Sequence, residues 1–393
     1  MTKIYLIRHG EAEGNLYRRM QGNFDGGLTE LGHRQVEALG QRFRDIPLDA
    51  VYSSDLHRAM YTASVLCLPQ KLPLYTDARL REVRVGPWED MPYGDARAQY
   101  PEEMEHFSQN PIQWHLEGAD SYEGLAQRGV DALMDIVREN PGKSVAVCGH
   151  SYLIGAILCK LFYSYDHYDQ VGRSDNTAVS LLTYEGGQFH LVFKHDSSHL
   201  EGNDLRRKRR TPTKNDSPAD MSDLDLRFAP LTDINEYIRY RKDAWELIYG
   251  SLQGFDGSGF WLDAQNTMGP DPNAMVVGYL GRTPVGMIQL SPHRDKNKGV
   301  GYIPFIYLRE EFRHRGLGIQ LIGHAVSFYR NLGRKKLQLS VAPTNEKAIA
   351  FYEKFGFTAV GKNKGLFGRL ILMEKSFTLP ALPKGLKVIP KTK

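Results

Sequence analysis

Sulfur is scarce in this sequence: 393 residues hold 3 cysteines, Cys67, Cys148 and Cys159, at no paired spacing. That excludes a disulfide framework and a zinc knuckle and reads as reduced structural thiols. An excess of one charge is missing too. The 50 basic and 46 acidic residues leave a formal +4, too weak a field to support nucleic-acid binding. Long apolar runs are missing as well: the most apolar stretch, YLIGAILCKLFY (152–163), is short, carries Lys160, and is expected as a core helix. The opening residues, MTKIYLIRHG, enter a strand at once and leave no room for a signal peptide, so a cytoplasmic protein without membrane contact is expected.

What is present exceeds one typical core, so two domains are expected. Between His199 and Leu226 the stretch EGNDLRRKRRTPTKNDSPADMSD has almost no apolar residues. We assign a first domain to 1–205, a polar basic linker to 206–224, a second domain to 225–378 and a Pro/Lys-rich tail to 379–393. No aromatics interleave with the basic block Arg206 to Arg210, which reads as a solvated linker.

In the first domain KIYLI and SVAVCGH are buried-strand runs, while TELGHRQVEALGQRFRD and RAMYTASVLCL carry helical periodicity, with Thr29 as an N-cap. Alternating strands and helices predict a three-layer α/β fold whose ligands gather beyond the carboxyl ends of strands. The second domain reads as strand and helix (224–245), a hairpin turning at Gly281 to Thr283, then strand, glycine loop and helix (300–330). KKLQLSVAP, a helix over 345–354 and GLFGRLILMEK complete a mixed-sheet α/β pattern.

Two strand ends carry histidine. LIRHGEAEGN sets Arg8 beside His9, with Asn15 following, and VAVCGHS supplies His150. Adjacent cations repel unless an anion sits between them. SSDLHRAMYTA adds Arg58 and LREVRVGPWED adds Glu82. If these ends converge, the arginines supply forked donors to a phosphoryl group, a neutral imidazole attacks phosphorus, and a carboxylic acid protonates the leaving alkoxide. Glu89 and Glu11 are the alternatives for that acid. His33, His57, His106, His115, His167 and His195 read as surface or packing residues.

These segments, in this order, resemble the histidine phosphatase superfamily, the phosphoglycerate-mutase-like enzymes, over about residues 3 to 200; HDSSHL (195–200) is similar to that fold's closing strand. The resemblance implies that His9 is the nucleophile, that Arg8, Asn15, Arg58 and His150 hold the phosphoryl group, and that Glu82 is proton donor and then base. No metal is implied. GHS in place of the commoner SHG leaves the role of Ser151 open. The stretch 83–149 is compact for a mutase of this family, which favours hydrolysis, and its aromatics Trp88, Tyr93, Tyr100, Phe107 and Trp114 are expected to shape the leaving-group pocket.

In the second domain, Arg313, Gly316 and Gly318 form an R-x-x-G-x-G loop between strand and helix, which can cradle a pyrophosphate. APTNEKAIAFYEKFGF then places Asn345, Ala348, Phe351 and Tyr352 on one helix. Together these resemble the GNAT-type N-acetyltransferases, over about 226 to 376. The resemblance implies acetyl-CoA as cosubstrate, with the amides of Arg313, His314, Arg315, Gly316, Leu317 and Gly318 on its pyrophosphate. It also implies Asn345 as a cofactor contact and Tyr352 as the acid for the departing thiolate. The strand GYIPFIYL has no acid before Glu310 to serve as base.

The expected partners are a small phosphomonoester and an amine, on one metabolite or on related ones. The alternatives are a phosphoryl mutase or bisphosphatase, acetylation of protein amines, or one domain acting as a ligand sensor without catalysis. The oligomeric state is left open.

Overall fold

The computed structural model describes residues 1–172, 174–202, 204–206, 224–365 and 368–391. Most of the expected linker, 207–223, thus lies outside the described residues. Among the described residues no helix is long and apolar enough to cross a membrane.

The first domain runs β1 (Thr2–Arg8), α1 (Glu13–Tyr17), α2 (Glu30–Arg42), β2 (Ala50–Ser53), α3 (His57–Gln70), β3 (Leu74–Thr76), α4 (Tyr93–Gln99), α5 (Pro101–Gln109), α6 (Tyr122–Glu139), β4 (Ser144–Gly149), α7 (Ser151–Phe162), β5 (Val179–Glu185) and β6 (Gln188–Asp196). Thr29 caps α2 as expected, its Oγ1 accepting from Gly32 N at 3.0 Å. Strand alternation sorts the side chains. Val145 and Val147 of β4 face the core under α6 and α7, while Ala146 and Cys148 face the one under α2 and α3. Helices therefore cover both faces of a mostly parallel sheet, and the three-layer expectation holds.

β1 and β4 pair in parallel with Arg8 opposite Gly149. The next residue on each strand is a histidine, so pairing register alone brings His9 and His150 to the same sheet edge. HDSSHL is strand only to Asp196, and Ser198–Leu200 form a 3-10 turn.

The second domain runs β7 (Arg227–Pro230), α8 (Ile234–Tyr249), α9 (Gly257–Met268), β8 (Met275–Leu280), β9 (Thr283–Gln289), β10 (Val300–Ile303), β11 (Phe305–Leu308), α10 (Gly318–Asn331), β12 (Lys336–Val341), α11 (Glu346–Lys354), β13 (Thr358–Gly365) and β14 (Gly368–Ser376). The predicted hairpin forms, with Leu280 opposite Thr283. The run expected as one strand over 300–308 is broken at Pro304, which has no N–H for a ladder. Its first half, β10, pairs with β12, and its second half, β11, pairs with β9. The sheet thereby splits into two four-stranded sheets, ordered β10-β12-β14-β13 and β11-β9-β8-β7.

Two features join the domains. Tyr17 of α1 is buried in the second domain's core beside α10. Around it, Arg19 donates to Asp90 (2.8 Å) and to Ser327 Oγ (2.9 Å), and Arg330 pairs with Glu13 at 2.7 Å. Residues within the expected tail then return to the first domain, where β15 (Val388–Pro390) pairs in parallel with β3 and completes the order β15-β3-β2-β4-β1-β5-β6.

Candidate active sites

At the carboxyl edge of the first sheet the His9 and His150 rings lie 5.1 Å apart, both buried. His9 Nδ1 is 2.7 Å from the Gly10 carbonyl. A carbonyl only accepts, so Nδ1 carries the proton and Nε2 keeps its lone pair. Burial, reinforced by Arg58 and Arg8, holds the pKa of His9 well below the ordinary histidine value, and burial with Arg58 does the same to His150. Both rings are neutral at pH 7.

Arg58 is fully buried at the start of α3. Its Nη1 donates to the Phe24 carbonyl and its Nη2 to the Gly22 carbonyl, each at 2.7 Å, with Asp25 Oδ1 at 3.6 Å. Its Nε and both ring nitrogens of His150 are buried with no partner among the described residues. Such atoms are costly to bury unless something hydrogen-bonds them, and a tetrahedral dianion between them would do so. Arg8 Nη1 donates to the Ser174 carbonyl at 2.5 Å. Asn15 Oδ1 accepts from Ala12 N at 3.1 Å, so this side chain closes the first turn of α1.

Glu82 lies where its carboxylate meets the first turn of α7: Oε2 accepts from Tyr152 N (3.1 Å) and Oε1 from Leu153 N (2.9 Å). Because His150 is the N-cap of α7, Glu82 and His150 are positioned by the same helix end. Beside them a cavity of about 170 Å³ is lined by Arg8, Ser151, Tyr152, Tyr168, Ser174 and His195, among others.

The second site begins where β11 ends. Among the described residues β11 has a strand on one edge, β9, and none on the other, and one 3-10 turn (Glu310–Phe312) separates this open-edged strand from the 313–318 loop. Within it His314 (φ 61°) and Gly316 (φ 77°) are left-handed. Among the described residues the amides of His314 to Gly318 donate to no backbone carbonyl, and α10 follows at once. Alternating backbone hands with free amides at a helix start make an anion cradle. Arg313 is turned away from it, with Nε on the Leu308 carbonyl at 2.9 Å and its guanidinium over the Tyr307 ring. Asn345 caps α11, accepting from Ala348 N at 3.2 Å. Tyr352 packs its ring against Phe351 and Phe357, and burial pushes its hydroxyl pKa up.

Comparison with known proteins agrees with both halves. Residues 4–197 match the histidine phosphatase superfamily (branch 1), and residues 238–357 match the acetyltransferase (GNAT) family. The probable phosphoglycerate mutase GpmB of Yersinia pestis (strain Pestoides F) is 33% identical over 190 residues, covering 47% of this chain and 86% of that protein. The solved structure of Bacillus stearothermophilus YhfR shares 32% identity with a TM-score of 0.50, covering 51% of this chain and all of that one. The chain belongs to the histidine phosphatase superfamily. It is an enzyme that joins this phosphatase domain to a GNAT acetyltransferase domain.

In this histidine phosphatase several side chains lie elsewhere than expected. Trp88, Tyr100, Phe107 and Trp114 stack on one another in the core, with Trp88 and Trp114 fully buried. They support the cavity through Tyr152, which stacks on Phe107 at 4.5 Å, and do not line it. Tyr93 packs beside Arg18 at the domain junction. Glu89 accepts from Asn23 N and Phe24 N, so it pins the loop that holds Arg58. Glu11 accepts from the Thr29 hydroxyl.

Four site residues escaped the sequence reading. Arg128 holds the Glu82 carbonyl at 2.8 Å. The carbonyls of Gly22 and Phe24 hold Arg58, and a backbone carbonyl leaves no mark in a sequence. His195, read as surface or packing, faces the cavity with Nδ1 buried and without a partner among the described residues. Its signal is its place in HDSSHL, at a left-handed φ of 53°.

Proposed function

We propose that this chain hydrolyses a phosphomonoester through a phosphohistidine and transfers the acetyl group of acetyl-CoA to an amine, on one small metabolite or on related ones. One observation carries the first half: a neutral His9, protonated on Nδ1, facing His150, with both ring nitrogens of His150 and Nε of Arg58 buried and without a partner among the described residues. His9 Nε2 attacks phosphorus, the N–P bond forms and the P–O bond to the leaving alkoxide breaks. Glu82 gives that alkoxide a proton. Glu82 then takes a proton from water as the water attacks phosphorus, which releases inorganic phosphate and restores His9. Arg8 and Arg58 hold the phosphoryl oxygens with charge-assisted bonds, and Asn15 lies on the helix beside them.

The second half rests on the amide cradle at 314–318 and on the open edge of β11 beside it. There the pyrophosphate of acetyl-CoA takes the amides, Asn345 sits at the start of the neighbouring helix, and Tyr352, kept protonated by burial, supplies the departing thiolate with a proton. The amine attacks the thioester carbon directly. Three buried free thiols fit a reducing cytoplasm.

The test is phosphate release from a panel of phosphorylated metabolites, including phosphorylated amines, comparing wild type with His9→Ala. One strong substrate and a dead variant support the reading. Equal release by both proteins leaves the first domain a phosphate sensor. The mutase named for the Yersinia relative is a separate outcome: isomerisation on adding a bisphosphate, in place of net release, would displace hydrolysis.

A further inference from the structure

Arg241, on α8, is held by neutral groups and rings. Several partly or fully buried arginines of this chain pair with a carboxylate instead: Arg19 meets Asp90 at 2.8 Å, Arg79 meets Asp77 at 2.8 Å and Arg330 meets Glu13 at 2.7 Å. Arg241 is partly buried, and among the described residues no carboxylate lies within ion-pair distance of it; Asp263 attracts it only from farther off. Its Nε donates to the Tyr237 hydroxyl (2.8 Å) and its Nη2 to Gln289 Oε1 (3.0 Å), both neutral groups. Gln289 is itself fully buried, its amide directed to Thr267 Oγ1 at 3.3 Å. The guanidinium plane is held over Phe305 at 3.9 Å and against Phe260 at 4.7 Å. Nη1 donates to no described residue. Rings stabilise a cation but do not neutralise it, so a guanidinium held in this way can still take an anion on Nη1.

Its place in the fold says what brings that anion. β11 carries Ile306 and Leu308 toward the core that holds Tyr352, and Phe305 and Tyr307 toward α8 and α9. From the amide cradle at 314–318, the open edge of β11 runs back to Phe305. Four residues of strand span about 13 Å, the reach of the arm that links the pyrophosphate of acetyl-CoA to its thioester. Arg241 stacks on the residue at the far end of that edge, beside Pro304, where the two sheets part. A group held by Arg241 therefore lies beside the thioester. The reaction itself puts only transient negative charge there, on the attacked carbonyl oxygen and the departing thiolate; a lasting anion comes with the acceptor.

Resting on the transferase reading above, we infer that Arg241 is the anion-recognition residue of the acetyl acceptor, and that the acceptor is an amine bearing a carboxylate or a phosphate. Tyr237 and Gln289 fix one edge of the guanidinium and the rings fix its plane, which leaves Nη1 to meet an oxyanion. The linked phosphatase gives the two anions different meanings. An acceptor carrying phosphate is acetylated before the first domain acts, and one carrying carboxylate can be acetylated after it.

Calorimetry on the full chain first establishes that acetyl-CoA binds. Thiol release is then measured for matched pairs: glycine against methylamine, β-alanine against propylamine, the other amino acids against their decarboxylated amines. O-phosphoethanolamine against ethanolamine and glucosamine 6-phosphate against glucosamine are run in His9→Ala, so that phosphate is retained. The acidic member of at least one pair is expected to exceed its neutral partner about 10- to 100-fold in kcat/KM. In Arg241→Met that ratio collapses toward one through KM, and Arg241→Lys restores part of it. Which pair responds separates carboxylate from phosphate. Preference for neutral members, equal use of both, or turnover of no acidic member overturns the inference while acetyl-CoA binding stands. Failure of acetyl-CoA to bind overturns the transferase reading as well. An acidic preference that survives unchanged in Arg241→Met overturns the assignment, and if that variant fails to fold Arg241→Lys decides: a ratio equal to wild type there overturns it too.

Discussion

Tyr17 and Gly323 meet across the domain junction so closely that a Cβ on residue 323 would lie 2.5 Å from the Tyr17 Cβ. Tyr17 ends the helix that begins four residues after His9, and Gly323 lies on the helix that begins at the amide cradle. One packed contact therefore joins the backbone beside the proposed phosphate site to the backbone beside the proposed acetyl-CoA site. Gly323→Val forces α1 and α10 apart, an overpacking that costs about 1–3 kcal/mol. A lower denaturant midpoint at unchanged slope is expected, with phosphatase activity and acetyl-CoA affinity falling together. An unchanged midpoint would show that the helices part freely.

The pH profile of phosphate release follows from the two neutral histidines. Activity needs His9 unprotonated, and burial keeps its pKa well below 6.5. Once the substrate's own titration is removed, kcat/KM should stay level from pH 7.5 down through pH 6 and fall only in more acidic solution. A half-maximal point near 6.5 would contradict a buried neutral nucleophile. Stability has the same sign. The unfolded chain's histidines bind protons near pH 6.5, whereas folded His9 and His150 resist them, and His199 and His324 are held down to about 4. Stability is full above pH 6.5 and declines as pH falls toward the folded values. Melting temperature measured from pH 7 to pH 5 should decrease steadily.

Glu82→Gln separates the two chemical steps. The amide oxygen can accept from only one of Tyr152 N and Leu153 N, so the side chain stays anchored at the helix end by one bond in place of two, and it can neither give nor take the proton. With an alkyl phosphate, kcat should fall by about 10²–10⁴. With p-nitrophenyl phosphate, whose leaving group needs no acid, His9 is still phosphorylated. Water attack then stalls, and a burst near one equivalent of nitrophenol is the expected trace. A linear trace at the wild-type rate would remove Glu82 from both roles.

Much of this molecule is legible before folding because its chemistry sits at the tips of local elements. RHG and GHS each end an apolar run, Arg58 opens a helix, and Gly316 of R-x-x-G-x-G marks where the backbone turns left-handed. What is not legible depends on pairing between distant segments. The 5.1 Å approach of His9 and His150 comes from the register of β1 against β4, which no local pattern encodes. The aromatics of 83–149 have the same composition whether they line a pocket or fill a core, and here Trp88 and Trp114 fill it. Pro304 is visible in the sequence, but that it moves the following strand to another sheet depends on β9 and β12. The stretch 379–393 reads as a tail because it is rich in Pro and Lys, yet Val388 and Ile389 pair with the edge of β3.

The acetyl-CoA loop can be tested without touching a functional side chain. Gly316 has φ 77° with open space around its Cα, so a side chain there meets strain in the backbone and no clash. Gly316→Val should cost about 1–2 kcal/mol of loop conformation and weaken acetyl-CoA binding about tenfold or more by calorimetry. At Gly318 an added Cβ would lie 3.3 Å from the Phe351 ring, so Gly318→Val presses the loop against the helix of Tyr352. Phosphate release should be unaffected in both. Undiminished acetyl-CoA binding in both variants would move the cosubstrate away from these amides.

The returning tail makes the phosphatase depend on residues that follow the acetyltransferase. Leu74 N donates to the Lys387 carbonyl at 2.8 Å, Lys391 N donates to the Thr76 carbonyl at 2.8 Å, and Lys391 Nζ reaches Glu139 at 2.7 Å. Upstream, the Pro380 carbonyl lies 2.7 Å from His57 Nε2, and a carbonyl only accepts, so the ring donates. His57 is next to Arg58, and its own N–H donates to Asp25 Oδ2 at 2.8 Å. Truncation after Thr378 thus strips an edge strand, uncovers Leu74 and Tyr75, and releases a ring one residue from the phosphate-holding arginine. About 2 kcal/mol of stability should be lost from buried apolar area, with a bare strand edge left open to self-association. The expected result is a lower melting temperature, a raised KM for the phosphomonoester, and acetyl-CoA binding close to wild type, because no strand of the second domain pairs with β15. A truncated chain with full phosphatase activity would show that β3 closes the sheet without help. Loss of acetyl-CoA binding together with phosphatase activity would show instead that the junction at Tyr17 and Gly323 carries the tail's effect into both domains.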